Sequence, residues 1–330
     1  MQSGYDNRIT LQKLEVFCLV VELGSVSRAA EHLFVAQPVV TAHVQSLQKR
    51  LHVKLLEREG HRMHLTDGGE RVYRWARDTL SRTRELVREL DGLAEGQRVS
   101  VAVAASMTVG SYLLPPLFTE FRRRRPLAAI TLAVSDPGQA IDEVELGRAD
   151  FAVLVAPSAP ANRALEAQVV GHEDVVLVAA PHYEAGLAAV PVAALAQIPL
   201  ISSPSGQVRR SLIDDLLIAL GVRLGNVVIA LGHAEAMKCA TRDGLGMCLL
   251  FRTSVAAELE SGALREVAIT DARLSVPLMT VVRAGKRLSP IQRELLDAVT
   301  AGIRAREDDA DADAEADAPV PDDAEAAPAA

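Results

Sequence analysis

The chain has 330 residues, 49% of them apolar and 24% charged, the balance of a globular protein of roughly two domains. Three scattered cysteines, Cys18, Cys239 and Cys248, exclude a disulfide scaffold. The longest uncharged stretches, 99–119 and 185–208, are broken by Pro115, Pro116, Pro191, Pro199 and Pro204, so no membrane span is expected. The first residues hold no apolar run of a secretory signal, and a reducing, cytoplasmic setting is expected.

The formal net charge of −8 conceals a division. Residues 307–330 carry ten Asp or Glu and no Lys or Arg, and without them the body stands at +2. That end has too little apolar surface to offset chain entropy, so 305–330 is expected to be a disordered acidic tail. Five of the eight histidines lie between His32 and His64, and the segment 25–75 holds eight Lys or Arg against five Asp or Glu.

In chain order, Leu11, Leu14, Phe17, Cys18 and Val21 recur at helical spacing, with Thr10 to cap the helix and Gly24 to end it. A short helix follows, with Ser27 near its start and Ala29, Ala30 and Leu33 facing inward. After the tight connection Phe34-Val35-Ala36, the residues Val40, Val44, Leu47 and Leu51 mark one face of a third helix. Two helices so joined have the geometry of a helix-turn-helix. Residues 55–65 alternate weakly around Gly60, as a small β-wing would. Thr66 can cap a long helix to about Leu93, with Asp67 and Glu70 at its positive end. Its stripe of Val72, Ala76, Leu80, Thr83, Val87 and Leu90, with Leu86 and Leu93 alongside, needs a packing partner. The simplest is the same helix of a second copy.

From residue 99 the period changes. Short apolar runs at 99–105, 130–135, 151–156, 175–180, 227–231 and 248–251 alternate with helical patterns at 113–124, 140–147, 209–220 and 234–242. Such alternation marks an α/β domain with largely parallel sheets. A last helix opens with Ser289 as cap and Pro290 at its first position, and runs through Ile291, Leu295, Val299 and Ile303. The joint between the halves is expected near 94–97.

Several motifs together resemble one family. They are Ser27-Arg28-Ala29-Ala30-Glu31-His32-Leu33, Gln37-Pro38-Val39-Val40-Thr41, Leu47 and Leu51, Leu55-Leu56-Glu57-Arg58, and Leu65-Thr66-Asp67-Gly68-Gly69-Glu70. Tyr112-Leu113-Leu114-Pro115 with Phe121, Gly147-Arg148-Ala149-Asp150, Gly244-Leu245-Gly246 and Leu288-Ser289-Pro290 follow in order. The chain resembles the LysR-type transcriptional regulators over residues 10 to 304. The resemblance implies a winged helix-turn-helix (1–65), a dimerising linker helix (66–95), and an effector-binding domain (96–304) with two α/β lobes around a small-molecule cleft. The fold class is thus α/β with an N-terminal α-helical winged helix-turn-helix, a long linker helix, and a C-terminal domain resembling type 2 periplasmic binding proteins. Ser106-Met107-Thr108-Val109-Gly110 before Tyr112 looks like the branch containing Calvin-cycle and cysteine-pathway regulators. The chain departs from the family pattern at Ala36 (usually Ser), Ala42 (polar or basic), Gln48 (Glu), His52 (Gly) and Leu56 (Phe).

Gln37, Thr41 and Gln45 lie off the apolar face of the third helix, where side chains reach base edges in the major groove; Pro38 can fix the helix entry and touch a base. Arg28, Arg58, Arg62 and His64 are candidates for phosphate contacts. His61 and His64 have ligand spacing, but no Cys or carboxylate pair completes a metal site, and no cofactor is expected. The cationic run 122–125 suits a helix C-terminus, and Cys239 and Cys248 read as buried small hydrophobes.

Ser106, Met107 and Thr108 follow the first strand of the second half and open a helix. Ser202, Ser203 and Ser205 do the same further on. Free amides and hydroxyls at such points favour an anion. The reading is a sequence-specific regulator of double-stranded DNA, a homodimer or homotetramer, controlled by a small anionic metabolite. A ligand-independent regulator with a vestigial cleft is one alternative. An α/β enzyme is the other, for which no G-x-S-x-G, P-loop or complete metal constellation is present.

Overall fold

The computed structural model describes residues 9–59, 62–94, 100–184 and 187–316. The N-terminal domain begins with α1 (Leu11–Leu23), capped by Thr10, which accepts from the Lys13 amide, and closed by Gly24 at φ +61°. Next come α2 (Val26–His32) and α3 (Gln37–Leu51). The cap of α2 is Ser25, which accepts from the Arg28 amide. The hairpin β1 (Leu56–Glu59) and β2 (Arg62–Leu65) pairs Leu56 with Leu65 and Arg58 with Met63. Thr66 then caps α4 (Asp67–Ala94), accepting from the Gly69 amide at 3.0 Å. A side chain at Gly69 would strike the Leu55 carbonyl, so only glycine lets the first turn of α4 lie on the wing.

The second half starts with β3 (Ser100–Ser106), a π-turn (Val109–Leu113) and α5 (Leu114–Arg124). It continues through β4 (Ala129–Ser135), α6 (Pro137–Glu145), β5 (Phe151–Val155) and β6 (Leu165–Ala179). After β7 (Ala189–Val190), a 3-10 turn (Val192–Ala196) leads to β8 (Leu200–Ser202) and α7 (Val208–Ala219). Then follow β9 (Val227–Ala230), α8 (Ala234–Arg242), β10 (Met247–Phe251) and α9 (Arg252–Glu260). The chain returns through β11 (Arg265–Ile269), β12 (Ser275–Arg283) and α10 (Pro290–Ala316).

The strands form two lobes joined edge to edge, in the order β4-β3-β5-β12-β6-β10-β8-β9, with β11 against the end of β6. Within each lobe the βα units are parallel, as β3 pairs β4 and β5, and β8 pairs β9 and β10. β6 belongs to both lobes. Residues Leu165 to Asp174 face β12, and Val175 to Val178 pair with β10. The return crossing runs beside it, held by Val175 N–H donating to the Leu274 carbonyl at 2.7 Å and by the Arg273–Asp174 ion pair. One apolar core runs through both lobes, with Phe121, Leu295 and Val299 from the first and Leu212, Ile213 and Leu217 from the second. Smaller cores lie under α6 and under α8 and α9.

The linker helix α4 touches both halves. Ala76 and Leu80 are buried in the N-terminal core with Phe17 and Leu47. Arg77 reaches Glu145 at 3.5 Å, Arg84 donates to the Leu146 carbonyl at 3.2 Å and pairs with Glu15, and Arg283 pairs with Asp78 at 2.8 Å. Gly147, at φ +68°, lies against Ser81, whose Cα would be 2.9 Å from an added Cβ.

Two expectations need correction. Leu80 serves the intramolecular core, at 6% exposure, so the outward stripe of α4 is Trp75, Leu86, Val87 and Leu90, exposed by 45 to 54%. Residues 305–316, expected to be disordered, continue α10, because the packed turns before them supply the helix nucleus and alanine favours propagation. Glu307 there bonds His172 Nδ1 at 2.8 Å. The end of the tail, 317–330, and the joint 95–99 lie outside the described residues.

Candidate nucleic-acid interface and effector cleft

On α3 the buried side is Val40, Val44 and Leu47, and the opposite side exposes Gln37, Pro38 and Gln45, with Thr41 half-buried between them. Pro38 stands in the first turn, where its missing N–H costs nothing. Ala36 gives no side-chain cap. Thr41 Oγ1 donates to the Gln37 carbonyl at 3.1 Å and Ser27 Oγ to Gln37 Oε1 at 3.3 Å, which hold both side chains at the helix start. Arg28 is exposed on α2 and donates to the Leu23 carbonyl. His64 is exposed on β2, opposite Glu57. Arg58 and Arg62 sit in the hairpin; their side chains, and His61, lie outside the described residues. Phe34, expected only as part of the tight connection, is 96% exposed at φ +55° in the turn before α3.

Between the lobes lies a cavity of about 340 Å³. It opens where parallel strands end: Ser106 closing β3 and Met107 after it, Asp136 and Pro137 after β4, Val155 of β5, Gln207 and Val208 after β8, His233 and Ala234 after β9, and Phe251 of β10. That is the position at which open α/β sheets hold ligands. The first turns of α6, α7 and α8 all face this space. Neither Asp136 nor Gln207 caps its helix with a side chain, so first-turn amides of α6 and α7 are left for an anion.

The predicted residues Ser106, Met107 and Thr108 line the cavity, and Ser106 Oγ accepts from the Val155 amide at 3.2 Å. Ser202, Ser203 and Ser205 do not line it. Ser202 and Ser203 are buried and serve neighbouring guanidiniums: Ser202 Oγ accepts from Arg210, and Ser203 Oγ accepts from Arg209 at 2.7 and 2.9 Å. Ser205 is exposed on the turn before α7. Among the cavity residues that sequence reasoning missed are Asp136 and Arg209; burial disfavours the charge of Arg209, drawing its pKa below the usual range.

The two lobes touch at the cavity through Tyr112, whose hydroxyl donates to Glu235 Oε1 at 2.7 Å. Lys238, buried beneath, bonds Glu235 at 2.6 Å and Glu258 at 2.9 Å, with its ammonium 5.1 Å from the Tyr112 ring centroid. Burial pushes the Glu235 carboxyl up, but the hydrogen bonds from Lys238 and Tyr112 outweigh it and hold the pKa below the ordinary range. Cys248 is buried and its thiol is pushed up to about 12 by that burial, whereas Cys239, expected to be buried, is exposed.

Comparison with known proteins decides the family. The model "Bacterial regulatory helix-turn-helix protein, lysR family" matches residues 11–70, and "LysR substrate binding domain" matches 94–304. The chain belongs to the LysR family of transcriptional regulators. It is 30% identical over 289 residues to the "Uncharacterized HTH-type transcriptional regulator YeiE" of Escherichia coli, covering 88% of this chain and 96% of that one. It is 29% identical to the "Probable RuBisCO transcriptional regulator" of Cyanidioschyzon merolae, covering 80% and 88% of the two chains. The structure of ArgP from Mycobacterium tuberculosis superposes with a TM-score of 0.61 at 23% identity, covering 88% of this chain and 96% of that one. This protein is therefore a DNA-binding transcriptional regulator with an effector-binding domain. The matched families are regulators rather than enzymes, which sets the enzyme alternative aside. Among the described residues, no helix is long and apolar enough to cross a membrane.

Two departures from the LysR pattern have a visible role. Gln48 Oε1 accepts from the Leu55 amide at 2.8 Å and the Leu56 amide at 3.4 Å, so a neutral side chain still anchors the wing to α3. His52 closes α3 at φ +52°, the left-handed conformation that explains the usual glycine.

Proposed function

We propose that this LysR regulator is a cytoplasmic, sequence-specific homodimer or homotetramer that binds a small anionic metabolite between the lobes of its effector domain. Gln37, Pro38, Thr41 and Gln45 read bases in the major groove, while Arg28, Arg58, Arg62 and His64 contact phosphates. The exposed stripe of Trp75, Leu86, Val87 and Leu90 on α4 is the seam between two copies. The observation that carries the effector reading is the convergence of three helix N-termini, two without side-chain caps, on one cavity.

Binding titrations on the protein's own operator and on random duplex test the DNA assignment. Thr41→Ala and Gln37→Ala should each cost about 1–3 kcal/mol on the operator and little on random DNA. Equal losses on both would show that these side chains do not read sequence. A metabolite screen by thermal shift tests the cleft. A bound effector at 100 times its Kd adds about 2.7 kcal/mol, and a vestigial cleft yields no such compound.

A further inference from the structure

The charges that line the cavity say more about its ligand than the helix ends do. Arg209, on the first turn of α7, is half-buried and meets no carboxylate among the described residues. Its bonds run through Nε and Nη2 to Ser203 Oγ and to Met237 Sδ, the latter a weak acceptor. Among the described residues its Nη1 donors make no bond. A guanidinium held this way is stabilised by an anion that brings two oxygens.

The rest of the lining supplies little positive charge. His233 Nδ1 accepts from the Glu235 amide, which leaves Nε2 as the ring nitrogen free to meet a ligand. Tyr112 keeps its proton, because burial and its bond to Glu235 push the phenol pKa up. Opposite, in the other lobe, Asp136 lines the cavity as an exposed carboxylate that caps no amide of α6. The formal charges of the lining are thus one cation and one anion. Between them the walls are Met107, Pro137, Val155, Leu212 and Phe251.

Resting on the reading of the cleft as the effector site, we propose that the effector is a monocarboxylate with a largely apolar body. Its carboxylate sits on Arg209 and the first amides of α7. Its carbon skeleton lies on Leu212, Phe251 and Val155. Asp136 rejects a second anionic group, because a dianion would find no further cation in the lining and would meet a like charge at the opposite wall. Arg209 is the binding residue and Asp136 the residue that sets specificity.

The test uses full-length protein and three six-carbon probes of matched shape, hexanoate, its neutral amide hexanamide, and the dianion adipate, by isothermal titration. Hexanoate should bind at least tenfold tighter than either of the others. Arg209→Met, which keeps the chain length, should weaken hexanoate at least tenfold and leave hexanamide unchanged. Asp136→Asn should improve adipate at least fivefold, a gain that misfolding cannot produce. Adipate binding as tightly as hexanoate, an unaltered Arg209→Met, an unaltered Asp136→Asn, or no heat from hexanoate at 20 mM would each overturn the proposal. Ser111→Trp, filling the cavity from the other lobe, separates the two levels. If it abolishes hexanoate binding while Arg209→Met does not, the cleft reading stands and the charge assignment falls. If neither variant affects binding, the cleft reading falls as well.

Discussion

Replacing Lys286 by Met should destabilise the effector domain without touching the DNA-binding domain. Lys286 Nζ lies 2.9 Å from Asp150 Oδ1, and the two side chains are 5% and 3% exposed. Asp150 Oδ2 also accepts from the Ala102 amide at 2.8 Å, so the pair pins the turn after β12 to β3 and to the start of β5. Removing the ammonium breaks this buried ion pair, a change that typically costs 3–5 kcal/mol, so about 4 kcal/mol is expected here. Removing both charges with Asp150→Ala and Lys286→Met should cost less than the sum of the single changes. Urea titration reads this by domain, because the chain has one tryptophan, Trp75, on the linker helix. With m near ~2.5 kcal/mol/M, the circular-dichroism transition of the effector domain should fall by roughly 1–2 M, while the Trp75 fluorescence transition stays in place. A loss below about 1 kcal/mol, or single changes that add without coupling, would refute the argument that this pair supports the lobe.

Gln48→Leu should orphan the Leu55 amide and lower the stability of the N-terminal domain by about 1–3 kcal/mol, read by Trp75 fluorescence, and Gln48→Glu should restore it. Leu90→Glu should dissociate the assembly in sedimentation while leaving each chain folded; Leu80→Glu should instead unfold the N-terminal domain, since that side chain is buried within its own chain. Glu173 is buried, and burial raises its pKa against two hydrogen bonds from Thr253. The native state therefore holds its proton to higher pH than the unfolded chain, and its contribution to stability is lost as pH rises from the acid range. Glu173→Gln should stabilise at pH 7, with the advantage vanishing near pH 4; an advantage that grew on acidification would contradict the sign.

The N-terminal half was legible because its signals are local. Thr10 and Thr66 cap helices, Gly24 ends one, and the period of Val40, Val44 and Leu47 shows which side of α3 is buried. The β-strands that join the lobes were not. β6 begins with Leu165 to Asp174, a polar run that is strand only because β12 pairs with it, and β12 carries Pro277 in its interior. Both depend on pairing between residues more than a hundred positions apart. Ser106, Met107 and Thr108 line the cavity, and the strand-to-helix turn that holds them is visible in sequence. Of the second-lobe serines expected at the ligand, the structure gives Ser202 to Arg210 and Ser203 to Arg209, and leaves Ser205 exposed on the turn before α7. Arg209 reads as an ordinary basic residue of a helix start, and only the fold brings Ser203 and Met237 around it.

β6 passes from one lobe to the other without leaving its ladder, and the returning strand runs beside it, bonded across the join. A wide swing of the lobes would have to tear backbone bonds in both crossings and split an apolar core that runs through the two halves. The join therefore behaves as a stiff leaf spring rather than a door hinge. If an effector binds between the lobes, the expected response is a small twist rather than an opening, with the overall dimensions in scattering unchanged. It is nonetheless delivered to α6, whose first turn lines the cavity and whose last turn holds Arg77 of the linker helix.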